Sequence, residues 1–248
     1  MNGYRALSGS IFLGLGSSLP VLRKEIRNLN LVITDFDNTL IPSFAVVRPT
    51  LLLLQQKAQT SRMAGAKLEQ LQSLLTKRKL SSVEVLSKRY ARIICNLDER
   101  ELAGAARQVS LGNPLFPSVY PVFGKFSRSK RIVVVSYGVR SIIRELLGTT
   151  VTAEVIARDL KKTGNVFSGI FVQNGTAKAF KNKAVKVFLS KRCKFIGIGD
   201  AEEDAGFLSG ASVRICVNPA TALVEEVKPQ IILRDKANPW KDFQKFFL

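Results

Sequence analysis

The stretch Leu29-Asn30-Leu31-Val32-Ile33-Thr34-Asp35-Phe36-Asp37-Asn38-Thr39-Leu40 decides the fold. Leu31 to Thr34 are a short apolar, β-branched run, which predicts a strand buried on both faces, as in a parallel sheet. The run breaks off into Asp35, Asp37, Asn38 and Thr39, which predict a loop leaving the strand's carboxyl end. In an open parallel sheet, that edge is where ligands bind.

Working outward, the same pattern recurs. Residues 131–138, RIVVVSYG, hold a second β-branched run that ends at Ser136. Residues 193–200, CKFIGIGD, form a third that ends at Asp200, with Asp204 one helical turn later, and SVRICVN (212–218) reads as a fourth. TAEVIARDL (152–160) predicts a further strand, and the short β-rich pieces of GNVFSGIFVQNG (164–175) predict a hairpin. Helical segments separate the strands at VRSIIRELL (139–147), KAFKNKAVKVFLSKR (178–192), EEDAGFLSGA (202–211) and ATALVEEVKP (220–229). Alternating strands and helices predict an α/β fold, a Rossmann-like core of three layers around a parallel sheet.

Residues 42–112 have a different texture. Leu68, Leu71, Leu74 and Leu75 recur at helical spacing, as do Val83, Leu86, Tyr90 and Ile94, with Ser81 or Ser82 as the cap of the second segment. This predicts a small helical domain inserted after the first strand, dividing the core into residues 30–41 and 113–248. The insertion carries twelve Lys/Arg against five Asp/Glu, so its polar face is basic. Residues 1–29 are expected to be an N-terminal extension rather than a targeting segment, because the apolar part of IFLGLG (11–16) is short for a secretory signal. Trp240, Phe243 and Phe247 share one face of a C-terminal helix and are expected to dock on the core.

Composition narrows the chemistry. The chain of 248 residues is 46% hydrophobic, enough for a substantial core. It contains no histidine, which removes a Ser-His-Asp triad, a His-ligated zinc site and a histidine general base. Cys95, Cys193 and Cys216 are widely spaced and odd in number, arguing against a disulfide framework and for a reducing, cytoplasmic setting. No apolar run reaches the roughly 18 residues of a spanning helix. The formal charge of +19 predicts attraction to polyanions, from phosphorylated metabolites to nucleic acid. GLG at 14–16 precedes the first convincing strand, the wrong order for a dinucleotide-binding loop.

Three strand ends therefore finish in functional residues: Asp35 with Asp37, then Ser136, then Asp200 with Asp204. Gathered at one sheet edge, the carboxylates would repel one another unless a cation neutralised them. Oxygen ligands without histidine favour Mg2+ over zinc, with Asp35, Asp37, Asp200 and Asp204 as the expected metal-binding set. A carboxylate can itself act as the nucleophile on phosphorus by forming an acyl-phosphate. Asp35 is expected to attack, while Asp37 protonates the leaving oxygen and then activates water. Thr39, Ser136 and a lysine are expected to bind the phosphoryl oxygens.

These residues resemble the motifs of the haloacid dehalogenase-like superfamily, particularly its phosphoserine-phosphatase-like branch. Asp35-Phe36-Asp37-Asn38-Thr39 is similar to the family's Asp-x-Asp-x-Thr box, Ser136 to its second motif, and Gly199-Asp200 with Asp204 to its fourth. EVIARDLKKTGNVFSGI (154–170) also looks like the stretch between motifs in that branch. The third motif is a lysine near the start of the helix before the fourth. Lys178, Lys181, Lys183 and Lys186 compete for it, and Lys183 is preferred because KAVKVFL (183–189) runs on as continuous helix. The resemblance implies a phosphatase with an aspartyl-phosphate intermediate and a cap closing over the site. It also implies phosphatase rather than dehalogenase chemistry, since dehalogenating members lack the second aspartate. The glutamate that phosphoserine phosphatases carry shortly after the first motif has no counterpart in IPSFAVV (41–47), and Ala201 stands where a second glycine is common.

The substrate is expected to be a small phosphorylated metabolite. A rival expectation is a nucleic-acid or ribonucleoprotein interaction protein on a phosphatase fold, suggested by the basic clusters at 77–79, 125–131 and 181–194.

Overall fold

The structure is a computed structural model, described here for residues 3–42, 45–76, 82–149 and 151–248. The chain opens with β1 (Tyr4–Ala6), β2 (Ile11–Gly14) and α1 (Leu19–Asn28), then enters β3 (Leu31–Thr34). Four helices follow the loop after β3: α2 (Arg48–Ala58), α3 (Arg62–Thr76), α4 (Val83–Ile94) and α5 (Glu99–Leu111). Helix α6 (Val119–Phe126) leads back to β4 (Arg131–Val139), α7 (Arg140–Leu147) and β5 (Glu154–Arg158). Next come β6 (Leu160–Thr163), β7 (Val166–Phe171), α8 (Ala177–Ser190) and β8 (Ile196–Gly199). The chain finishes with α9 (Ala205–Gly210), β9 (Val213–Val217), α10 (Thr221–Val227), β10 (Ile231–Leu233) and α11 (Phe243–Phe247).

Eight strands form one sheet in the order β1-β2-β10-β9-β8-β3-β4-β5. Strand β3 lies between β8 and β4, parallel to both, with Val32 opposite Ile196 and Ile132. This brings the carboxyl ends of β3, β4 and β8 to one edge, the placement predicted for Asp35, Ser136 and Asp200. Side chains alternate across the sheet with period two. Val32, Val134 and Ile198 pack on one face with Leu22, Phe123, Ile143 and Phe243, while Ile33, Val133 and Val135 pack on the other with Val185, Phe207 and Leu223. Full burial of each such side chain is worth about 1.5–3 kcal/mol, so these strands anchor the core.

The sheet is mixed rather than wholly parallel, and the segment expected as an extension contributes two strands to it, within residues 3–29. β2 pairs antiparallel with β10 and β1 antiparallel with β2, so the N-terminal hairpin forms the sheet's edge. Ile11 and Leu13 are fully buried with Phe12 between them, an alternation obscured by the surrounding glycines and serines. The predicted hairpin also lies earlier than GNVFSGIFVQNG: it pairs β6 with β7, and its first strand, Leu-Lys-Lys-Thr, is largely exposed and too charged to read as a strand.

Helices α2 to α5 make up the predicted insertion. Ser82 caps α4, its hydroxyl accepting the Val85 N–H at 3.4 Å, and Asp98 caps α5 by accepting the Arg100 N–H at 2.7 Å. Ser81 and the basic cluster at 77–79 lie outside the described residues. The β6–β7 hairpin is stitched to the α4–α5 connection by Asn96 N–H to Phe167 O at 2.8 Å and Phe167 N–H to Leu97 O at 3.1 Å. Gly169 sits against this connection with φ of 75°, where a Cβ would come within 2.9 Å of Cys95 Cβ. A second short segment thus braces the insertion on the core.

As expected, Trp240, Phe243 and Phe247 are fully buried, although Trp240 lies in the turn before α11 rather than on the helix; it meets Phe123 edge-on at 5.4 Å between ring centroids. The basic stretch 125–131 is only partly surface: Lys130 is buried and donates to Leu29 O at 2.6 Å. All three cysteines are free. Among the described residues, no helix is long and apolar enough to cross a membrane.

Candidate active site

Asp35 extends β3 by one residue, its N–H donating to Ile198 O of β8 at 2.9 Å. Phe36 plunges into the core and is fully buried, so alternation leaves Asp35 and Asp37 on the opposite, cavity side. The loop closes tightly, with Leu40 and Ile41 N–H groups both donating to Phe36 O, at 2.9 and 3.2 Å. Asn38 has a φ of 57°, a left-handed conformation that asparagine tolerates better than most residues. Behind the loop, Trp240 Nε1 donates to Thr39 O at 2.8 Å.

Helix α8 supplies the cation. Thr176 caps it by accepting the Ala179 N–H at 3.2 Å, and Ala177, Lys181, Val185 and Phe188 form its buried face. Lys181 Nζ lies 2.6 Å from Asp35 Oδ1 and 2.7 Å from Asp204 Oδ1. Asp204 Oδ2 accepts the N–H groups of Asp200 and Ala201 at 3.1 and 3.2 Å, shaping the turn after β8. Gly199 is needed there, because a Cβ would come within 2.6 Å of Asp204 Oδ2.

The lysine preferred from the sequence is corrected here. Lys183 is exposed, since two residues along an α-helix turn the side chain by about 200° from Lys181. The helix runs from Ala177 to Ser190, close to the expected 178–192, so Lys181 already lies within it. Lys178 pairs with Glu226 at 3.7 Å, and Lys186 is exposed. The buried stripe at 177, 181, 185 and 188 is the periodic signal that singles out Lys181.

The expected metal set divides. Asp35, Asp200 and Asp204 each bring an oxygen within 4.8 Å of the others, whereas the Asp37 carboxylate stands outside this group and accepts the Ser136 hydroxyl at 3.4 Å. Ser136 Oγ also accepts the Gly138 N–H at 3.0 Å. Thr39 is fully buried and its hydroxyl donates to Asp200 Oδ1 at 3.3 Å. A cavity of about 230 Å³ opens over Asp35, Asp37, Lys181 and Asp200, with Asn38 and Tyr137 at its walls.

Electrostatics fit a divalent cation. Burial pushes the Asp35 carboxyl well above its ordinary range; Lys181 pulls against this, while Asp204, Asp200 and Asp37 add to it. Burial and the neighbouring Asp204 raise Asp200 to about 7. Burial raises Asp37 to about 6, against the pull of Lys181 and the Ser136 hydrogen bond. Lys181 stays above its ordinary range although burial works the other way, because Asp204 and Asp35 hold it charged. Four carboxylates thus face one ammonium, and an all-oxygen donor set of this kind suits Mg2+.

The sequence profile of the haloacid dehalogenase-like hydrolases matches residues 32–209, more than half of the chain and all four motif positions. The chain belongs to this family. As a haloacid dehalogenase-like hydrolase it is an enzyme, and Asp35, Asp200 and Asp204 are its Mg2+-type carboxylate cluster. Among solved structures, a substrate-bound phosphoserine phosphatase is similar over 88% of this chain and 99% of its own, at 13% identity and a TM-score of 0.61. Cytosolic 5'-nucleotidase IIIB bound to cytidine is similar over 97% of this chain and 92% of its own, at 13% identity and a TM-score of 0.61. A protein of unknown function from Bordetella pertussis Tohama I is similar over 84% of this chain and 99% of its own, at 15% identity and a TM-score of 0.62. At these identities the likeness is one of fold. No curated protein sequence matches the chain.

Proposed function

We propose that this haloacid dehalogenase-like hydrolase is a magnesium-dependent phosphomonoesterase that works through an aspartyl-phosphate on Asp35 and acts on a small phosphorylated molecule. The observation that carries this reading is the buried pairing of Asp35 with Lys181 at 2.6 Å, at the floor of a cavity that Asp37 also lines. Asp35, Asp200 and Asp204 would hold a divalent cation, which would supply positive charge to the phosphoryl oxygens.

The chain's own residues account for the rest. Asp35 forms a bond to phosphorus as the bond to the leaving oxygen breaks, and Asp37 gives that oxygen its proton. A carboxyl raised to about 6 by burial keeps a proton available near neutral pH better than an ordinary aspartate would. In the second half, Asp37, now ionised, takes a proton from water, which attacks phosphorus and releases inorganic phosphate and Asp35. Ser136 holds the Asp37 carboxylate, and Thr39 holds Asp200, each by its hydroxyl. Lys181 keeps Asp35 oriented and neutralises charge on the transferring group. The insertion of α2 to α5 acts as the cap that excludes water during phosphorylation. The basic surface attracts phosphorylated ligands in general, and a cavity of about 230 Å³ matches a small ester better than a polynucleotide.

Phosphate release from 4-nitrophenyl phosphate tests this reading. It should require Mg2+ and disappear in Asp35→Asn. Undiminished turnover in that variant would remove Asp35 as nucleophile.

A further inference from the structure

A second chamber, of about 220 Å³, lies between the insertion and the core beside the catalytic cavity. The two share Asp37, Asn38, Val83 and Tyr137, so the chamber begins at the carboxylate assigned to the leaving oxygen. Its walls come from separate elements: Val46, from the turn before α2, Leu74 and Leu75 from α3, Leu86 from α4 and Val139 from β4. Such a position receives whatever is attached to the phosphoryl group.

Three of the polar side chains at this chamber are already committed, while Asp37 and Asn38 stand at its catalytic end. The Tyr90 hydroxyl shares a 2.6 Å hydrogen bond with Thr50 Oγ1. The Tyr137 hydroxyl donates to Gly175 O, and Ser87 Oγ accepts from the Arg158 guanidinium. That guanidinium is itself fixed, 3.3 Å from the Tyr137 ring centroid and 3.5 Å from that of Phe171, and donates to Tyr137 O at 2.7 Å. Among the described residues, no lysine, arginine or glutamate lines the chamber. Beyond its catalytic end, an amine, carboxylate or sugar hydroxyl set against Val46, Leu74, Leu75, Leu86 and Val139 would lose its hydration without gaining a partner from these side chains, at a cost that an apolar group avoids.

Resting on the phosphomonoesterase reading, we propose that this chamber is the leaving-group site and selects phosphate esters of apolar alcohols, aryl or medium-chain alkyl, over those of amino acids and sugars. At about 30 Å³ per water-sized group, it accommodates roughly seven non-hydrogen atoms.

The test is phosphate release by the full chain from n-alkyl phosphates of increasing length, with O-phosphoserine and glucose 6-phosphate as polar competitors. Burial of one methylene is worth about a fourfold change, so kcat/KM should climb about fourfold per carbon and level off near seven carbons. The hexyl ester should exceed O-phosphoserine by at least about 100-fold. Leu86→Gln, placing an amide in the wall, should flatten the climb. A flat series in the unaltered protein, a preference for O-phosphoserine, or an undiminished climb in Leu86→Gln would overturn the assignment while leaving the phosphomonoesterase standing. No phosphate release from any ester would overturn both.

Discussion

Glu84 on the inserted helix α4 accepts a hydrogen bond from the backbone N–H of Ala177, the first residue of α8, at 3.1 Å. The insertion thereby satisfies one of the free N–H groups at the start of the helix that carries Lys181, and places a negative charge at the positive end of its dipole. The insertion and the start of the helix that carries Lys181 share one contact.

Glu84→Ala should cost about 0.5–1 kcal/mol in urea unfolding at neutral pH, as for a helix-end partner at a partly exposed site. The Glu84 carboxyl is held below its ordinary value of 4.5, chiefly by the Ala177 hydrogen bond. A lowered folded-state value means that the stabilisation is complete above 4.5 and fades as pH falls through the folded value. The difference between the two proteins should therefore shrink in acid. A difference that grew in acid would contradict the contact.

Lys181→Met should abolish turnover and destabilise the fold by about 3–5 kcal/mol, because it strands Asp35 and Asp204 as buried carboxylates without their partner. Lys183→Ala, on the exposed side of the same helix, should leave both properties close to those of the unaltered protein. Comparing the two by phosphate release and thermal unfolding separates the lysines directly.

Much of this site was legible in the residues, and its blind spots have physical causes. β3, β4 and β8 stand out because central strands buried on both faces must be uninterrupted apolar runs, and their polar ends then show where the edge lies. Lys181 was harder, since four lysines share one helix and only burial tells them apart. Asp37 carries the same charge as its neighbours, and no local pattern reveals that its carboxylate turns to Ser136 instead of joining the cluster. Strands β1, β2 and β10 are three or four residues long, and their identity comes from pairing between distant parts of the chain.

Chelation should abolish turnover, and added Mg2+ should restore it. Ca2+ should not, because it prefers longer bonds and a larger coordination number than a tight carboxylate site provides. Full activity with Ca2+, measured by phosphate release, would show the site to be looser than its geometry implies.

Association with single-stranded nucleic acid, if measured at low salt, should fall steeply as ionic strength rises and be lost near physiological salt, the signature of counterion release from a charged surface. Fluorescence anisotropy across a salt series distinguishes this from a built interface, which would persist.

The hydrogen bond from Trp240 to Thr39 O ties a segment distant in sequence to the nucleophile's loop. On the ribosome, the residue that props the loop emerges about 200 positions after it. The nascent protein therefore carries its nucleophile on a loop that lacks this prop until Trp240 has been made.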